Sequence, residues 1–284
     1  MYSNKFRSKI KTILSDLFSD DNISFELEPL YGGSINYTYK IFSKYAVLFL
    51  KLNYDNIKDD FFFVEEKGIK LLGNVDGVKV PKVIYRSHNM LLMNFIHHES
   101  LDNFSWQNLA SDIAKIHSVK HNFFGLDYDN YIGSLCQKNT LDHNWINFFI
   151  EKRIKPQIIM SQLPKDILIL FDLLFSKLDS ILIEEDPSLL HGDFWSGNFL
   201  IQDDKPVFID PAVYFGSREM DLAMSKLFGG FHTDFYNIYN EIYPLRKNWE
   251  ERLEIYTLYP LLVHHNIFGG NYHLKILKIL KSFV

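Results

Sequence analysis

Two apolar runs, Phe199-Leu200-Ile201 and Val207-Phe208-Ile209, bracket the polar stretch Gln202-Asp203-Asp204-Lys205-Pro206. Short apolar runs around a polar turn mark a β-hairpin. A hairpin brings the chain back to its starting point, so Asp210 is predicted to return beside Asn198. That closure matters because of what precedes it: His191-Gly192-Asp193-Phe194-Trp195-Ser196-Gly197-Asn198. Phosphoryl transfer from ATP needs a carboxylate at the acceptor hydroxyl and oxygen ligands for Mg²⁺ at the phosphates. Asp193 can be the first, and Asn198 and Asp210 the others, which is the order of a kinase catalytic loop and its metal-binding aspartate. A surface turn before an ordinary hairpin is the plainer reading of so short a motif.

Upstream, further parts of such a machine occur in the order a kinase fold requires. Phe25 to Leu30 and Tyr37 to Phe42 read as strands around Tyr31-Gly32-Gly33-Ser34-Ile35-Asn36, and Tyr45 to Leu52 as a third. Backbone N–H groups at Gly32, Gly33 and Ser34 can fold over phosphate oxygens, because glycine permits close approach and positive φ. A Gly-Gly hairpin turn explains the same residues without a ligand. Lys51 ends the run Val47-Leu48-Phe49-Leu50; it is either a solvated strand end or the lysine of the α- and β-phosphates. In the second case an acid on the following helix must hold it. Asp60 to Leu72 has helical spacing and offers Glu65 and Glu66; Glu65 shares a face with Ile69 and Leu72 and is therefore expected to lean inward. Val83 to Arg86 and Met90 to Ile96 complete a small sheet, with backbone at Met93, Asn94 and Ile96 placed to meet an adenine edge.

The expected architecture is α+β and bilobal, a protein-kinase-like fold. Residues 1–95 form a small nucleotide-covering sheet lobe with one main helix; residues 96–284 form a larger, mostly helical lobe with the catalytic loop and metal-binding aspartate. Between Asp210 and the helical run starting near Arg218 there is no room for a long activation segment, and no A-P-E sequence follows, so a small-molecule kinase fits better than a protein kinase. Asp221 lies early on that helix, where it can bond to backbone N–H groups of the catalytic loop or simply serve the helix start.

Composition narrows the partners. A net charge of −5 over 284 residues gives no field to gather nucleic acid or anionic lipid. The single cysteine, Cys136, excludes an internal disulfide and any CxxC knuckle, and suits a reducing compartment. The adjacent pairs His97-His98 and His264-His265 have diverging side chains and do not suggest zinc. Met1 to Lys9 has no apolar core of signal-peptide length, and Ile167 to Ile183 is interrupted by Asp172, Lys177 and Asp179, which fits a buried amphipathic helix. The expectation is a cytoplasmic protein with no nucleic-acid or membrane partner, monomeric by default.

The chain resembles the fructosamine kinase family, the ketosamine 3-kinases within the aminoglycoside/choline phosphotransferase-like branch of the kinase fold. The resemblance is carried by Gly32-Gly33-Ser34-Ile35-Asn36, Asn130-Tyr131-Ile132-Gly133, Phe148-Phe149 with Arg153 and Pro156-Gln157, and the His191–Asn198 loop. It continues through Asp210 to Gly216, Arg218-Glu219, Asp221 to Met224, Leu227 to Phe231 and His265 to Gly270. Trp195 is the sharpest marker, since related aminoglycoside and choline kinases commonly carry His or another residue there. Asn94 departs from the acidic residue expected in relatives.

The resemblance implies Asp193 as catalytic base, Asn198 and Asp210 as Mg²⁺ ligands, Lys51 with Glu65 on the ATP phosphates, and Gly32 to Ser34 as the covering loop. It implies phosphorylation of the C3 hydroxyl of ribulosamine, erythrulosamine or fructosamine adducts on amines or protein lysines. Because that phosphate sits on the carbon next to the C2 carbonyl, its elimination would lead to release of the amine, a deglycation. Trp195 would either stack on the substrate or pack under the loop. The competing readings are a phosphotransferase for an aminoglycoside- or choline-type acceptor, and an inactive kinase-fold binding module.

Overall fold

A computed structural model of the chain describes residues 4–30, 36–53, 58, 60–101 and 104–284. They divide into two compact units, residues 1–66 with 81–97, and residues 67–80 with 98–284.

The first unit begins with helix α1 (Asn4–Phe18), followed by β1 (Phe25–Leu30), β2 (Tyr37–Ser43), β3 (Val47–Leu52), helix α2 (Phe61–Gly73), β4 (Val83–Ser87) and β5 (Met90–Asn94). The strands form one antiparallel sheet in the order β1-β2-β3-β5-β4. Strand side chains alternate between faces. On β3, Leu48, Leu50 and Leu52 join Ile10 and Leu14 of α1, Ile41 of β2 and Leu92 of β5 in an apolar core. Lys51 is thereby turned to the opposite face. The third strand starts at Val47, two residues later than its apolar run suggests, because Ser43 closes a turn: its Oγ accepts from the N–H groups of Tyr45 and Ala46 and donates to the Ala46 carbonyl. Strand β5 likewise ends at Asn94, short of Ile96.

Helix α2 contributes residues to both units. The second unit continues with α3 (Trp106–Ser118), the short hairpin β6 (Asn130–Ile132) and β7 (Leu135–Gln137), and a continuous helical stretch. That stretch comprises α4 (Trp145–Phe148), a π-helical turn at Phe149–Ile154, and α5 (Lys155–Ser161). The apolar stretch after Ile167 is two helices, α6 (Lys165–Phe175) and α7 (Leu178–Ile181). Then come β8 (Ser188–Leu190), the hairpin β9 (Phe199–Gln202) and β10 (Lys205–Phe208), β11 (Tyr214–Gly216), and helices α8 (Glu219–Leu227), α9 (Thr233–Ile242), α10 (Trp249–Tyr256), α11 (Leu258–Phe268) and α12 (Tyr272–Phe283).

The expected hairpin is present, with Phe199 opposite Phe208, but its turn is tighter than the apolar runs suggest: the strands extend through Gln202 and Lys205, and Asp203 and Asp204 alone make the turn, with positive φ. Two strand pairs were not legible as strands: β6 with β7, and β8 with β11. Each is three residues long, and every residue of β8 and β11 is buried, so no period-two alternation is visible. Among the described residues no helix is long and apolar enough to cross a membrane.

Candidate active site

Strand β8 delivers His191, and its partner β11 lies immediately beyond Asp210-Pro211-Ala212-Val213. The loop between β8 and β9 and the segment between β10 and β11 are thus tied at both ends. Backbone bonds complete the tie: Ile209 N–H donates to the Asn198 carbonyl at 3.0 Å, and Ala212 N–H to the His191 carbonyl at 2.9 Å. The predicted return of Asp210 to Asn198 is therefore met one residue before Asp210. Asp210 itself has φ 53°, a left-handed conformation uncommon outside glycine, more tolerated by Asp than by most residues. Gly192, at φ 83°, is forced as well: a Cβ there would lie 2.0 Å from the Ala212 carbonyl oxygen.

His191 is the strut of the loop. Its Nε2 bonds to the Ile209 carbonyl at 3.0 Å and its Nδ1 accepts the Asp193 N–H at 3.3 Å, which one neutral tautomer satisfies at both atoms. Burial holds its pKa below the usual imidazole value. Asp221, on the first turn of α8, accepts from the N–H groups of His191 at 2.7 Å and Gly192 at 2.9 Å. His117 of α3 bonds the same carboxylate through Nε2 at 3.1 Å, while its Nδ1 meets the Tyr239 hydroxyl at 2.7 Å. Of the two sequence alternatives for Asp221, the structure shows the bond to the catalytic loop. Arg218 and Glu219 pair not with one another but with Glu185 and Arg252.

Asp193 is half-buried, and Asn198 Nδ2 donates both to its carboxylate and to its backbone carbonyl, each at 2.8 Å. Both amide hydrogens of Asn198 are thus committed to Asp193, which leaves Oδ1 as the atom of its side chain that could ligate a metal. Burial pushes the Asp193 carboxyl up to about 7; the Asn198 bond opposes this, and the charges of Asp210 and Asp221 add to it. The residue as a whole is only half-buried, so the dense protein around it accounts for the shift better than complete enclosure. Asn198 Oδ1 and the Asp210 carboxylate are hard oxygen donors. Such a pair suits Mg²⁺, which takes one or two protein ligands and completes its shell with phosphate and water.

Trp195 is 37% exposed and lies across Gly197, where an added Cβ would fall 2.3 Å from the indole Cη2. Its ring meets Phe228 edge-on at 6.3 Å.

In the first unit Lys51 Nζ lies 2.7 Å from Glu65 Oε1, both side chains largely shielded. Glu66 takes a different partner, Arg86. Met93 is buried in β5 opposite Phe49. Asn94 is bound to Lys82 twice: its N–H donates to the Lys82 carbonyl, and its Oδ1 accepts the Lys82 N–H at 2.6 Å. Ile96 is buried just past the strand. Gly32, Gly33 and Ser34 lie outside the described residues. His117, the amides that hold the segment after Asp210, and the strut role of His191 were not read from the sequence. Only His191, inside the loop motif, carried a local signal.

The sequence profile of the fructosamine kinase family matches residues 6–284. This chain belongs to the fructosamine kinase family. A probable ketoamine kinase of Enterococcus faecium is 38% identical to it over 96% of this chain and 99% of its own. One from Lactiplantibacillus plantarum is 35% identical, covering 91% and 94%. The crystal structure of a fructosamine-3-kinase candidate from Thermobifida fusca matches with TM-score 0.88 at 29% identity, covering 96% of this chain and 97% of that one. An ADP-bound aminoglycoside phosphotransferase matches with TM-score 0.61 at 16% identity over 95% and 97%, a likeness of fold alone. Membership makes the chain a phosphotransferase by family, on a protein-kinase-like fold with an N-terminal antiparallel sheet and a mostly helical remainder.

Proposed function

We propose that this fructosamine kinase family member transfers the γ-phosphoryl group of ATP to the C3 hydroxyl of a ketosamine, a sugar adduct on an amine or a protein lysine. The observation that carries the reading is Asp193: a carboxylate tuned toward neutrality and oriented by the amide of Asn198. A general base works best with a pKa near the working pH. Asp193 orients the acceptor hydroxyl and takes its proton while the acceptor oxygen bonds to the γ-phosphorus and the bond to the ADP oxygen breaks. Asn198 Oδ1 and Asp210 are the residues that would hold Mg²⁺, which when bound supplies neutralisation of the phosphate charge. Lys51, held by Glu65, takes the α- and β-phosphates, and Gly32 to Ser34 cover them.

Nucleotide roles fall to residues 1–95 and acceptor and metal roles to residues 96–284. In adenine recognition, Met93 contributes backbone only and Asn94 only its carbonyl, because the Asn94 side chain and N–H are both engaged with Lys82; the Ile96 N–H follows at the strand end. Trp195 presents an open indole beside the base, suited to stacking on the sugar or its amine arm. The product carries its phosphate on C3, next to the C2 carbonyl: loss of a C1 proton gives the 1,2-enaminol, whose electrons expel the C3 phosphate, and hydrolysis of the resulting imine by water frees the amine. That consequence gives the enzyme a deglycating, repair-type role.

The test is Mg²⁺/ATP-dependent phosphorylation of ribulose-, erythrulose- and fructose-modified lysine, followed by mass, with an aminoglycoside and choline as competing acceptors. Phosphate on a ketosamine is the expected result. Transfer only to a control acceptor, or none by folded protein that binds ATP, would overturn the reading.

A further inference from the structure

Arg153 lies in the π-helical turn and is fully buried, yet among the described residues no carboxylate pairs with it. A buried guanidinium without a counter-ion is costly, so its environment must repay it through hydrogen bonds and ring faces. Nη1 donates to the Lys138 carbonyl at 2.6 Å and Nη2 to Asn139 Oδ1 at 2.7 Å. The guanidinium carbon sits 3.9 Å from the centre of the Tyr214 ring, with Phe148 and Tyr259 farther out.

From Arg153 the bonds run in one direction. Asn139 Nδ2 donates to Asn130 Oδ1 at 2.8 Å, and Gln137 Nε2 donates to the same oxygen at 2.9 Å. Asn130 Nδ2 then donates to the Val213 carbonyl at 2.8 Å, and Gln137 Nε2 to the Ala212 carbonyl at 3.0 Å. The Tyr259 hydroxyl donates to Gln137 Oε1 at 2.7 Å. All three amide side chains are buried. Arginine can only donate and the two carbonyls can only accept, so the orientation of every amide is fixed and none can flip without losing its partners. Such a chain is cooperative, each bond polarising the next. It ends on the two residues that follow Asp210-Pro211, where Ala212 also binds His191 through its N–H. Asp210 stands just upstream in a left-handed conformation, one that persists only where its surroundings over-determine it.

We infer that Arg153, Asn139, Asn130 and Gln137 form a polarised relay that positions the metal aspartate, so that these residues set the affinity for the divalent cation without touching it. The inference rests on Asp210 being a metal ligand. It also assigns a role to the π-turn: it is the feature that carries Arg153, and such turns often accompany functional sites. The relay takes the place of an activation segment that must be ordered by modification, and makes the metal segment permanently set.

The experiment titrates Mn²⁺ into the full-length protein with a non-hydrolysable ATP analogue and follows the free-ion signal by electron paramagnetic resonance. Analogue affinity is measured separately in EDTA. Gln137→Met and Arg153→Met should weaken Mn²⁺ binding roughly tenfold or more, with metal-free analogue affinity within about twofold, and Arg153→Lys should lie nearer wild type. A role in folding alone would lower the melting temperature and leave Mn²⁺ affinity unmoved. Should Arg153→Met not fold, Gln137→Met, which keeps the buried cation, decides. Folded Gln137→Met with wild-type Mn²⁺ affinity would overturn the relay. Asp210→Asn serves as the reference: wild-type affinity in that variant would remove Asp210 from the metal, and the relay's function with it.

Discussion

Lys51 and Asp193 are both ionisable groups drawn out of much of the water, and the protein supports them in opposite ways. Lys51 is matched by an opposite charge at 2.7 Å. Asp193 has a neutral amide as its partner, and burial, aided by the charges of Asp210 and Asp221, pushes its carboxyl toward neutrality. The contrast follows from the tasks proposed for them. A group that must stay charged against phosphates is fixed by a counter-ion, whereas a group that must gain and lose a proton is left without one. The scaffold around Asp193 is correspondingly the more elaborate: Asp221, His191 and Asn198 fix the loop backbone, so the carboxylate is held with no ion-pair partner among the described residues.

The sharpest way to break this contrast is Asp193→Asn. The amide can still accept from Asn198, so fold and ATP affinity should stay close to wild type while turnover falls about a thousandfold, as expected for removal of a general base. Retained turnover, measured under ATP and acceptor saturation, would take the base role away from Asp193.

Lys51→Met comes next. Removing one member of a shielded ion pair strands the other, at a cost of about 3–5 kcal/mol. Loss of a phosphate-binding charge should lower kcat/KM for ATP by roughly a hundredfold. The double variant Lys51→Met with Glu65→Gln separates the two effects: it should recover much of the stability in urea unfolding and none of the ATP use. Recovery of both would mean that the pair is structural only.

The Lys51–Glu65 half of this contrast was legible in the sequence and the surroundings of Asp193 were not, for physical reasons. The hairpin from Phe199 to Phe208 could be read because two apolar runs enclose a polar turn, and the Glu65 assignment because helical spacing separates it from Glu66. The three-residue strands β8 and β11 could not, since a segment buried on all sides shows no alternation. His117 and the Gln137 and Asn139 amides lie 54 to 76 positions before Asp193 by residue number, and nothing local distinguishes such residues from ordinary polar ones; Asn130 was legible only as part of a motif of the family resemblance. Their role exists only through contacts that the fold makes.

A smaller effect is carried by pH. Because the folded-state pKa of Asp193 is raised to about 7 from an unfolded value near 3.8, the folded protein binds the extra proton between those values. Stability contributed by this group is therefore full at low pH and is lost as pH rises toward about 7. His117 and His191, held neutral by burial, act in the opposite sense, costing stability as pH falls below about 6.5. The difference between Asp193→Asn and wild type in EDTA cancels the histidine contributions. That difference should favour the variant progressively from pH 4 to 7 and level off above. A flat difference would mean that Asp193 titrates as an ordinary carboxyl.

The smallest expected effect is at Trp195, and it separates contact with the acceptor from support of the loop. The indole covers Gly197 and meets Phe228 edge-on, but more than a third of its surface is open, so an acceptor can reach the exposed face without displacing that packing. A stacked sugar or amine arm contributes about 1 kcal/mol. Trp195→Ala should then raise KM for a ketosamine by roughly fivefold, while ATP hydrolysis in the absence of acceptor barely changes. The support role predicts another pattern: a loop that loses its cover would misplace Asp193 and Asn198 together, lowering acceptor phosphorylation and background hydrolysis in parallel, with kcat falling more than KM rises.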